Sequence, residues 1–212
     1  MLVHEGDVTV PSLDSLGIVN ADTPARIADA RELLREYAAS IAGTVCLTHL
    51  DEELADLPGA YGPPRGRLLL AYAAGTPIGC VCLRDLGLWT CEMKRLYVRP
   101  AHRATGAGRA LVESVIDVAA GIGYRRMRLD TLPFMARAID LYRSLGFVRI
   151  DPYGPGAAKG ALVFELLLNS VRKLGWAVYT GLARKDGGPR GERYFKELKK
   201  GPRRSGTPRN LS

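Results

Sequence analysis

The feature that most constrains this chain is an apolar alternating run that leads through a basic, glycine-containing loop into an amphipathic segment. The run covers residues 91–98, the loop extends from Pro100 to Gly108, and the amphipathic segment begins near Gly106 or Ala107. A strand that turns through glycine into a helix points several unpaired backbone N–H groups at one place, beside the positive end of the helix dipole. This geometry binds phosphate or pyrophosphate.

The residues within the loop suit the same ligand. Gly106 and Gly108 permit unusual backbone angles and a close approach of the ligand, and Arg103 and Arg109 can add charge-assisted hydrogen bonds. The pattern is neither a Walker loop, which ends in Gly-Lys-Ser/Thr, nor a Gly-x-Gly-x-x-Gly dinucleotide fingerprint, whose third glycine would fall on Leu111. A simple turn before a helix is the alternative interpretation of the two glycines.

Two motifs together resemble one family. The stretch Arg103–Gly108, which follows the pattern R-x-x-G-x-G, is similar to the pyrophosphate-binding signature of the GNAT acyltransferase superfamily. The stretch Ala138–Phe147, which follows A-x-x-L-Y-x-x-x-G-F, resembles the motif of that family in which a helix tyrosine reaches the cofactor sulfur. The two motifs stand in the family's order, and the resemblance covers roughly residues 15–168.

Hydrophobic periodicity along the rest of the chain predicts an α/β protein. We expect a short strand at Ile18, a helix capped by Thr23, a helix over 49–57, strands over 67–73, 78–83 and 88–98, a helix to 120, a strand over 126–130, a helix over 134–145, and strands near 147 and 161–168. This order indicates layered α+β architecture. It resembles the GNAT fold, a mixed, mostly antiparallel central sheet flanked by helices.

The resemblance implies a reaction, the transfer of an acetyl group from acetyl-CoA to a primary amine by direct attack in a ternary complex. Acetyl-CoA is then a co-substrate, no metal takes part, and a small molecule or amino acid is favoured over a protein as the amine acceptor. The coenzyme-binding residues implied by the family are Leu96, Tyr97, Val98, Arg103, Ala104, Thr105, Gly106, Ala107, Gly108 and Arg109.

Attack of an amine on a thioester needs a deprotonated amine, stabilisation of the developing oxyanion and a proton for the leaving thiolate. Because an alkylammonium has a pKa of about 10.4, a base is required, and Glu92 is the candidate; an ion pair with Lys94 on the same strand face is the alternative. Tyr142 is the candidate acid, with core packing as its alternative. Tyr61 is a candidate substrate-binding residue, although a packed loop tyrosine is favoured.

Charge divides the chain into two parts. Residues 169–212 hold 12 Lys/Arg and 3 Asp/Glu, whereas residues 1–168 hold 18 and 19. We therefore predict a GNAT-like acetyltransferase domain over 1–168 and a basic, partly disordered C-terminal extension over 169–212. Two other functions stay open: a non-catalytic acyl-CoA-binding or regulatory module, and a nucleic-acid-associated protein that uses the tail. Homodimer formation is also open.

The cysteines and the N-terminus indicate the compartment. The four cysteines form no C-x-x-C pair, and His49 is the one loose partner for a zinc site, so we expect buried, reduced thiols. The N-terminus lacks a basic segment followed by an apolar core, and no apolar run approaches the roughly 20 residues that cross a bilayer. These features predict a soluble, cytoplasmic protein with no membrane partner.

Overall fold

The computed structural model describes residues 16–41, 50–152 and 160–168. Its helices and strands follow in the order Gly17–Asn20 (β1), Pro24–Ile41 (α1), Leu50–Ala55 (α2), Arg67–Ala73 (β2), Thr76–Gly87 (β3), Thr90–Val98 (β4), Ala107–Ile122 (α3), Arg126–Thr131 (β5), Ala136–Ser144 (α4), Val148–Ile150 (β6) and Leu162–Leu167 (β7). The predicted basic extension over 169–212, together with Cys46 and His49, lies outside the described residues.

The strands form one sheet in the order β1-β2-β3-β4-β5-β7-β6. Strands β4 and β5 are parallel, whereas the other neighbouring pairs are antiparallel. A parallel neighbour requires a crossover connection, and α3 supplies it between β4 and β5. The predicted mixed, mostly antiparallel sheet with flanking helices is thereby confirmed.

Helices α1 and α3 cover opposite faces of this sheet. Cys80 of β3 belongs to a buried cluster that includes Leu33 and Leu34 of α1. At the preceding residue, Gly79, an added Cβ would lie 3.2 Å from Leu111 Cδ1 of α3. Successive strand residues point to opposite faces, so the sheet is packed between the two helices.

Helix α1 begins as the sequence predicts. The backbone N–H of Arg26 donates to Thr23 Oγ1 at 3.3 Å, and Pro24 is the first helical residue. The buried face includes Leu33 as well as the predicted Ala30 and Leu34. Two neighbouring leucines widen the apolar stripe beyond the predicted one, since α1 packs across several strands.

The β3–β4 hairpin differs from the prediction. Strand β3 extends to Gly87, and Leu88 and Trp89, predicted as strand, form the turn with positive φ angles of 48° and 61°. Both side chains are exposed. Two-residue hairpin turns with positive φ normally carry Asn-Gly or Asp-Gly, and Leu-Trp offers no such local signal for a turn.

The thiols of Cys80, Cys82 and Cys91 are free and buried, as predicted. Burial raises the pKa of the Cys80 and Cys91 thiols to about 12, which keeps them protonated. Among the described helices, none combines the length and the apolar character required to traverse a membrane.

Candidate active site

Strands β4 and β5 part at the centre of the sheet. Their pairing covers only the first residues of each strand and ends at Glu92 opposite Arg128. Further along β4, a bulge places Arg95 and Leu96 opposite the single residue Val81 of β3, and Arg95 has a φ of +58°. The backbone of β4 beyond Glu92 is therefore unpaired on its β5 side and faces an opening.

A cavity of about 90 Å³ occupies this opening. Its walls come from β4, from the end of β5 and the residues after it, and from helices α1 and α4. The lining residues are Tyr37, Ile41, Met93, Lys94, Arg95, Leu96, Asp130, Thr131, Leu132, Met135 and Tyr142. Two predicted site residues, Leu96 and Tyr142, thus meet in one cavity, although 46 positions separate them in the chain.

Tyr142 both packs in the core and lines the cavity. Its ring lies 5.8 Å from the ring of Phe147 and 6.5 Å from that of Phe164, measured between centroids. Burial raises the pKa of its phenol well above the ordinary tyrosine value. The hydroxyl is therefore protonated across the neutral and mildly alkaline range.

Glu92 stands at the last paired position of β4, with its side chain buried. Arg84 Nε donates to its Oε2 at 2.6 Å, and Lys94 Nζ lies 3.8 Å from its Oε1. Lys94 Nζ also donates to Asp130 Oδ1 at 3.4 Å. We call Glu92, Lys94 and Asp130 the Glu92–Lys94–Asp130 cluster; Lys94 and Asp130 line the cavity, whereas Glu92 adjoins it through Lys94.

Tyr61 is buried and is connected to the cavity through two intervening side chains, Glu53 and Arg95. Its hydroxyl donates to Glu53 Oε1 at 2.8 Å, and Glu53 in turn receives two hydrogen bonds from the Arg95 guanidinium at 3.0 and 2.7 Å. Arg95 is the cavity-lining member of this chain of contacts. Tyr61 is thus placed to hold the bulge of β4, and its contact with substrate stays a prediction.

Replacing Glu53 by Gln should lower the free energy of unfolding by about 1–3 kcal/mol, because the Arg95 guanidinium, 11% exposed, would lose its counter-charge. Urea unfolding measures the change. Asp51→Asn is the matched control in α2, since this carboxylate is exposed and contributes through the helix dipole, less than about 1 kcal/mol.

The same pair has a pH signature. Burial raises the pKa of Glu53, but the hydrogen bond and charge of Arg95 outweigh burial and leave the pKa below its ordinary value of 4.5. A depressed pKa contributes stability that is complete above the unfolded pKa and is lost as the pH falls through the folded one. The wild-type advantage over Glu53→Gln should therefore be constant above about pH 5 and shrink below it; an advantage that persists undiminished in acid would contradict this assignment.

The start of α3 leaves several backbone N–H groups without a partner in the helix, as the sequence predicts. The first helical hydrogen bond of α3 runs from Ala110 N to Gly106 O at 3.0 Å, so the N–H groups of Ala107, Gly108 and Arg109 have no acceptor within the helix. Gly106 has a φ of +92°, which a residue with a Cβ adopts only under strain. These donors and the helix dipole fit an anionic pyrophosphate.

The arginine side chains of the loop are partly committed to protein contacts. Arg103 is exposed, and its Nε donates to Val98 O at 3.0 Å. Arg109 donates to Ser144 Oγ at 2.7 Å and so ties the start of α3 to the end of α4, two residues from Tyr142. Thr105 Oγ1 donates to His102 O at 2.7 Å and closes the loop on itself.

Arg99 anchors the beginning of the loop, a role that the sequence did not reveal. Its guanidinium donates to both carboxylate oxygens of Glu36 in α1 and to Pro77 O at 2.7 Å. The Tyr97 hydroxyl donates to the same carboxylate at 3.2 Å. The side chain of Tyr97 therefore contributes to this anchor, and its contact with coenzyme stays a prediction.

Sequence reasoning also missed Asp130 and Tyr37 as cavity residues. Asp130 is the last residue but one of β5, an alternating strand, where a polar residue after buried Leu129 was the one available signal. Tyr37 was assigned to the apolar stripe of α1, and it does contact the core, with its ring 6.2 Å from that of Tyr97. Its position on the cavity follows from the place where α1 crosses the sheet, which periodicity does not specify.

Comparison with known sequences gives the family to which a chain with this fold belongs. Residues 27–147 match the Acetyltransferase (GNAT) family, which is more than half of the chain. The protein therefore belongs to the GNAT acetyltransferase family, and the resemblance drawn from the two sequence motifs is confirmed.

Individual relatives agree with this assignment. An uncharacterized N-acetyltransferase of Schizosaccharomyces pombe is 38% identical over 141 residues, which cover 66% of this chain and 86% of the relative. A Streptococcus agalactiae acetyltransferase structure has a TM-score of 0.62 at 19% identity, covering 73% of this chain and 99% of that one. Salmonella typhimurium YncA, solved with its cofactor acetyl-CoA, has a TM-score of 0.55 at 23% identity, covering 73% and 95%. The two structures share the fold.

Proposed function

We propose that this protein transfers an acetyl group from acetyl-CoA to a primary amine while both substrates are bound. The observation that carries the proposal is the position of Tyr142, which lines the same cavity as the unpaired part of β4, the strand that leads directly into the glycine loop. The acetyl-CoA of Salmonella YncA and the N-acetyltransferase name of the yeast relative support this assignment.

The coenzyme contacts of the proposal run along β4 and into α3. Backbone N–H groups around Leu96 and Val98, next to the bulge, would hold the thioester carbonyl and the pantetheine arm. The pyrophosphate would lie on the N–H groups at the start of α3, with Arg103 and Arg109 at its sides. The thioester would then reach the cavity where β4 and β5 part.

Tyr142 is the proposed acid. A thiolate leaving group has a conjugate acid with a pKa near 8.5, and a buried phenol with a raised pKa is fully protonated when that thiolate forms. Transfer from phenol to thiolate is uphill, so position supplies the advantage. Packing against Phe147 and Phe164 fixes the ring and hence the direction of the hydroxyl.

A carboxylate of the Glu92–Lys94–Asp130 cluster is the proposed base. Glu92 is the sequence candidate, but Arg84 donates to its Oε2, and Glu92 is not among the described residues that line the cavity. Asp130 lines the cavity, and its side chain is 23% exposed. The proton of an acceptor ammonium in the cavity therefore has the shorter path to Asp130, directly or through one water molecule.

We expect Asp130→Asn to lower kcat/KM about 100-fold near neutral pH, where an alkylamine acceptor is still mostly an ammonium and needs a base. Glu92→Gln should have a smaller effect, because its carboxylate is held by Arg84. Profiles of kcat/KM against pH for the two variants and the wild type provide the comparison. A larger effect from Glu92→Gln would return the base to Glu92.

The acceptor class of the proposal is a small-molecule amine or an amino acid. Met93, Leu96, Leu132 and Met135 supply apolar walls. The charged lining residues are Lys94, Arg95 and Asp130. Initial rates with acetyl-CoA and an accepted amine varied together test the ternary complex. Intersecting double-reciprocal lines are expected, whereas parallel lines would indicate an acetylated enzyme intermediate and exclude direct attack.

A further inference from the structure

The cavity contains a primary amine that belongs to the chain itself. Lys94 lines the cavity, and its side chain is 15% exposed. It is the one lysine within the described ranges 16–41, 50–152 and 160–168. The chain has six others, namely Lys159, Lys173, Lys185, Lys196, Lys199 and Lys200.

The strand geometry fixes where this amine lies. Lys94 is the second residue beyond Glu92, the point at which β4 loses its pairing with β5. Its cross-strand partner is Cys82, a member of the buried cluster under α1, so Lys94 projects from the α1 face of the sheet. This is the face that Tyr37 and Ile41 close over the cavity.

Two carboxylates hold the Lys94 amine at the cavity wall. Asp130 Oδ1 lies 3.4 Å and Glu92 Oε1 3.8 Å from Nζ. The cavity has a volume of about 90 Å³. A group that lines so small a space is therefore within contact range of an acetyl group bound there, and Tyr142 lines the same space.

We propose that Lys94 is a site of self-acetylation, with the acetyl-CoA of this protein's own active site as donor; this inference rests on the proposed function. Lys94 Nζ, after passing a proton to a neighbouring carboxylate, forms a bond to the acetyl carbonyl carbon, and the carbon–sulfur bond breaks. Of the two protons that the ammonium loses, one ends on the CoA sulfur through Tyr142 and the other is released to solvent. The products are N-acetyl-Lys94 and CoA thiol.

The modification changes the charge of the cavity. An amide replaces the ammonium that separates Glu92 from Asp130, so two carboxylates lose their shared cation. The acceptor side of the cavity becomes more anionic, which favours cationic amines over acceptors that carry a carboxylate. Self-acetylation therefore alters which acceptors the site takes.

The test is mass spectrometry of the full-length protein incubated with acetyl-CoA without any added amine. Proteolysis with an enzyme that does not cleave at lysine allows the acetylated fraction of each of the seven lysines to be followed with time. We expect Lys94 to be acetylated at a rate that saturates with acetyl-CoA and does not depend on protein concentration. Tyr142→Phe should slow Lys94 at least tenfold and leave the other six lysines unchanged, because their chemical acetylation needs no acid from the cavity.

Three results would overturn the proposal. The first is a Lys94 that stays unmodified while acetyl-CoA saturates the protein, as measured by calorimetry. The second is a Lys94 rate that rises linearly with acetyl-CoA, like that of a lysine in free solution. The third is a Lys94 rate that Tyr142→Phe does not change. Lys94→Arg retains a cation for Asp130 and Glu92 and is the control for the assigned site, because the mass signal of the acetylated peptide must be absent in this variant.

The outcomes also separate this inference from the proposed function. If acetyl-CoA binds and an added amine is acetylated while Lys94 stays unmodified, self-acetylation is wrong and the proposed function stands. If acetyl-CoA does not bind to the wild type, both are wrong. If Lys94 is acetylated with saturation, an accepted amine added in excess should slow the modification, because both compete for one acetyl group.

Discussion

Tyr142→Phe should lower kcat about 10²–10³-fold, the range expected when a general acid is removed, while the affinity for acetyl-CoA stays within a few-fold of the wild-type value. The phenylalanine ring retains the contacts with Phe147 and Phe164, so the fold and the shape of the cavity persist. Steady-state kinetics give kcat, and calorimetric titration gives the affinity.

Tyr124→Phe is the matched control for this substitution. Tyr124 is also buried, but its hydroxyl donates to Arg65 O at 3.0 Å, outside the cavity. This variant should lose about 1 kcal/mol of stability through one hydrogen bond and retain its kcat. An equal kcat in the wild type and in Tyr142→Phe would remove Tyr142 from the mechanism.

The raised pKa of Tyr142 adds a pH prediction to the same experiment. Burial shifts this pKa upward, so the acid is present throughout the range in which an ordinary tyrosine, with a pKa of about 10, begins to ionise. The wild-type kcat should therefore show no decline assigned to Tyr142 up to about pH 10. A decline at lower pH that disappears in Tyr142→Phe would contradict the assigned shift.

Gly106→Glu should weaken acetyl-CoA binding more than 100-fold. The carboxylate would occupy the N-terminus of α3, where the proposed pyrophosphate lies, and the φ of +92° forces the new side chain into a strained backbone. Several charge-assisted hydrogen bonds to phosphate would be lost, each worth about 1.5–3 kcal/mol. Their sum exceeds the change in binding free energy that corresponds to a 100-fold loss of affinity. Calorimetric titration measures the loss.

Gly87→Glu controls for the strain and the charge of this substitution. Gly87 has a φ of +76°, and a Cβ there would have no neighbour within 4 Å. It precedes β4, whereas Gly106 follows it, so the nine residues of that strand separate the two sites by about 30 Å. The Gly87→Glu variant should be less stable than the wild type yet bind acetyl-CoA with wild-type affinity. Equal affinities for acetyl-CoA in Gly87→Glu and Gly106→Glu would place the coenzyme elsewhere.

The glycine loop could be predicted because all its determinants are local. The end of β4, the residue with positive φ and the first turn of α3 all lie within residues 98–110, and strand and helix periodicities on either side define the loop without tertiary information. The spacing of Arg103, Gly106 and Gly108 then distinguished it from other phosphate loops. Gly106 is the left-handed residue that precedes α3, as that spacing requires.

The environment of Glu92 could not be predicted, because it depends on strand register. Arg84 of β3 lies opposite Glu92 of β4 because Leu88 and Trp89 form the turn between these two strands. The sequence pattern placed these two residues in the strand itself, and a shift of the turn changes every cross-strand partner. Lys94, which lies on the same strand and two residues away, was the one partner that local spacing revealed.

The cavity itself arises from two tertiary features. Strands β4 and β5 part beyond Glu92, and the bulge at Arg95 turns its guanidinium toward Glu53 of α2. Neither the end of a strand pairing nor a bulge at a residue other than glycine leaves a pattern in the sequence. Asp130 therefore entered the site only when the fold brought the end of β5 beside Lys94.

The most direct measurement is the release of CoA thiol from acetyl-CoA by the full-length wild-type protein, with and without a mixture of amino acids and small primary amines. We expect release to accelerate several-fold or more when amines are present, with a matching amount of N-acetylated product in mass spectra of the mixture. Tight binding of acetyl-CoA with no amine-dependent release and no acetylated product would contradict acetyl transfer and leave a coenzyme-binding protein without this activity.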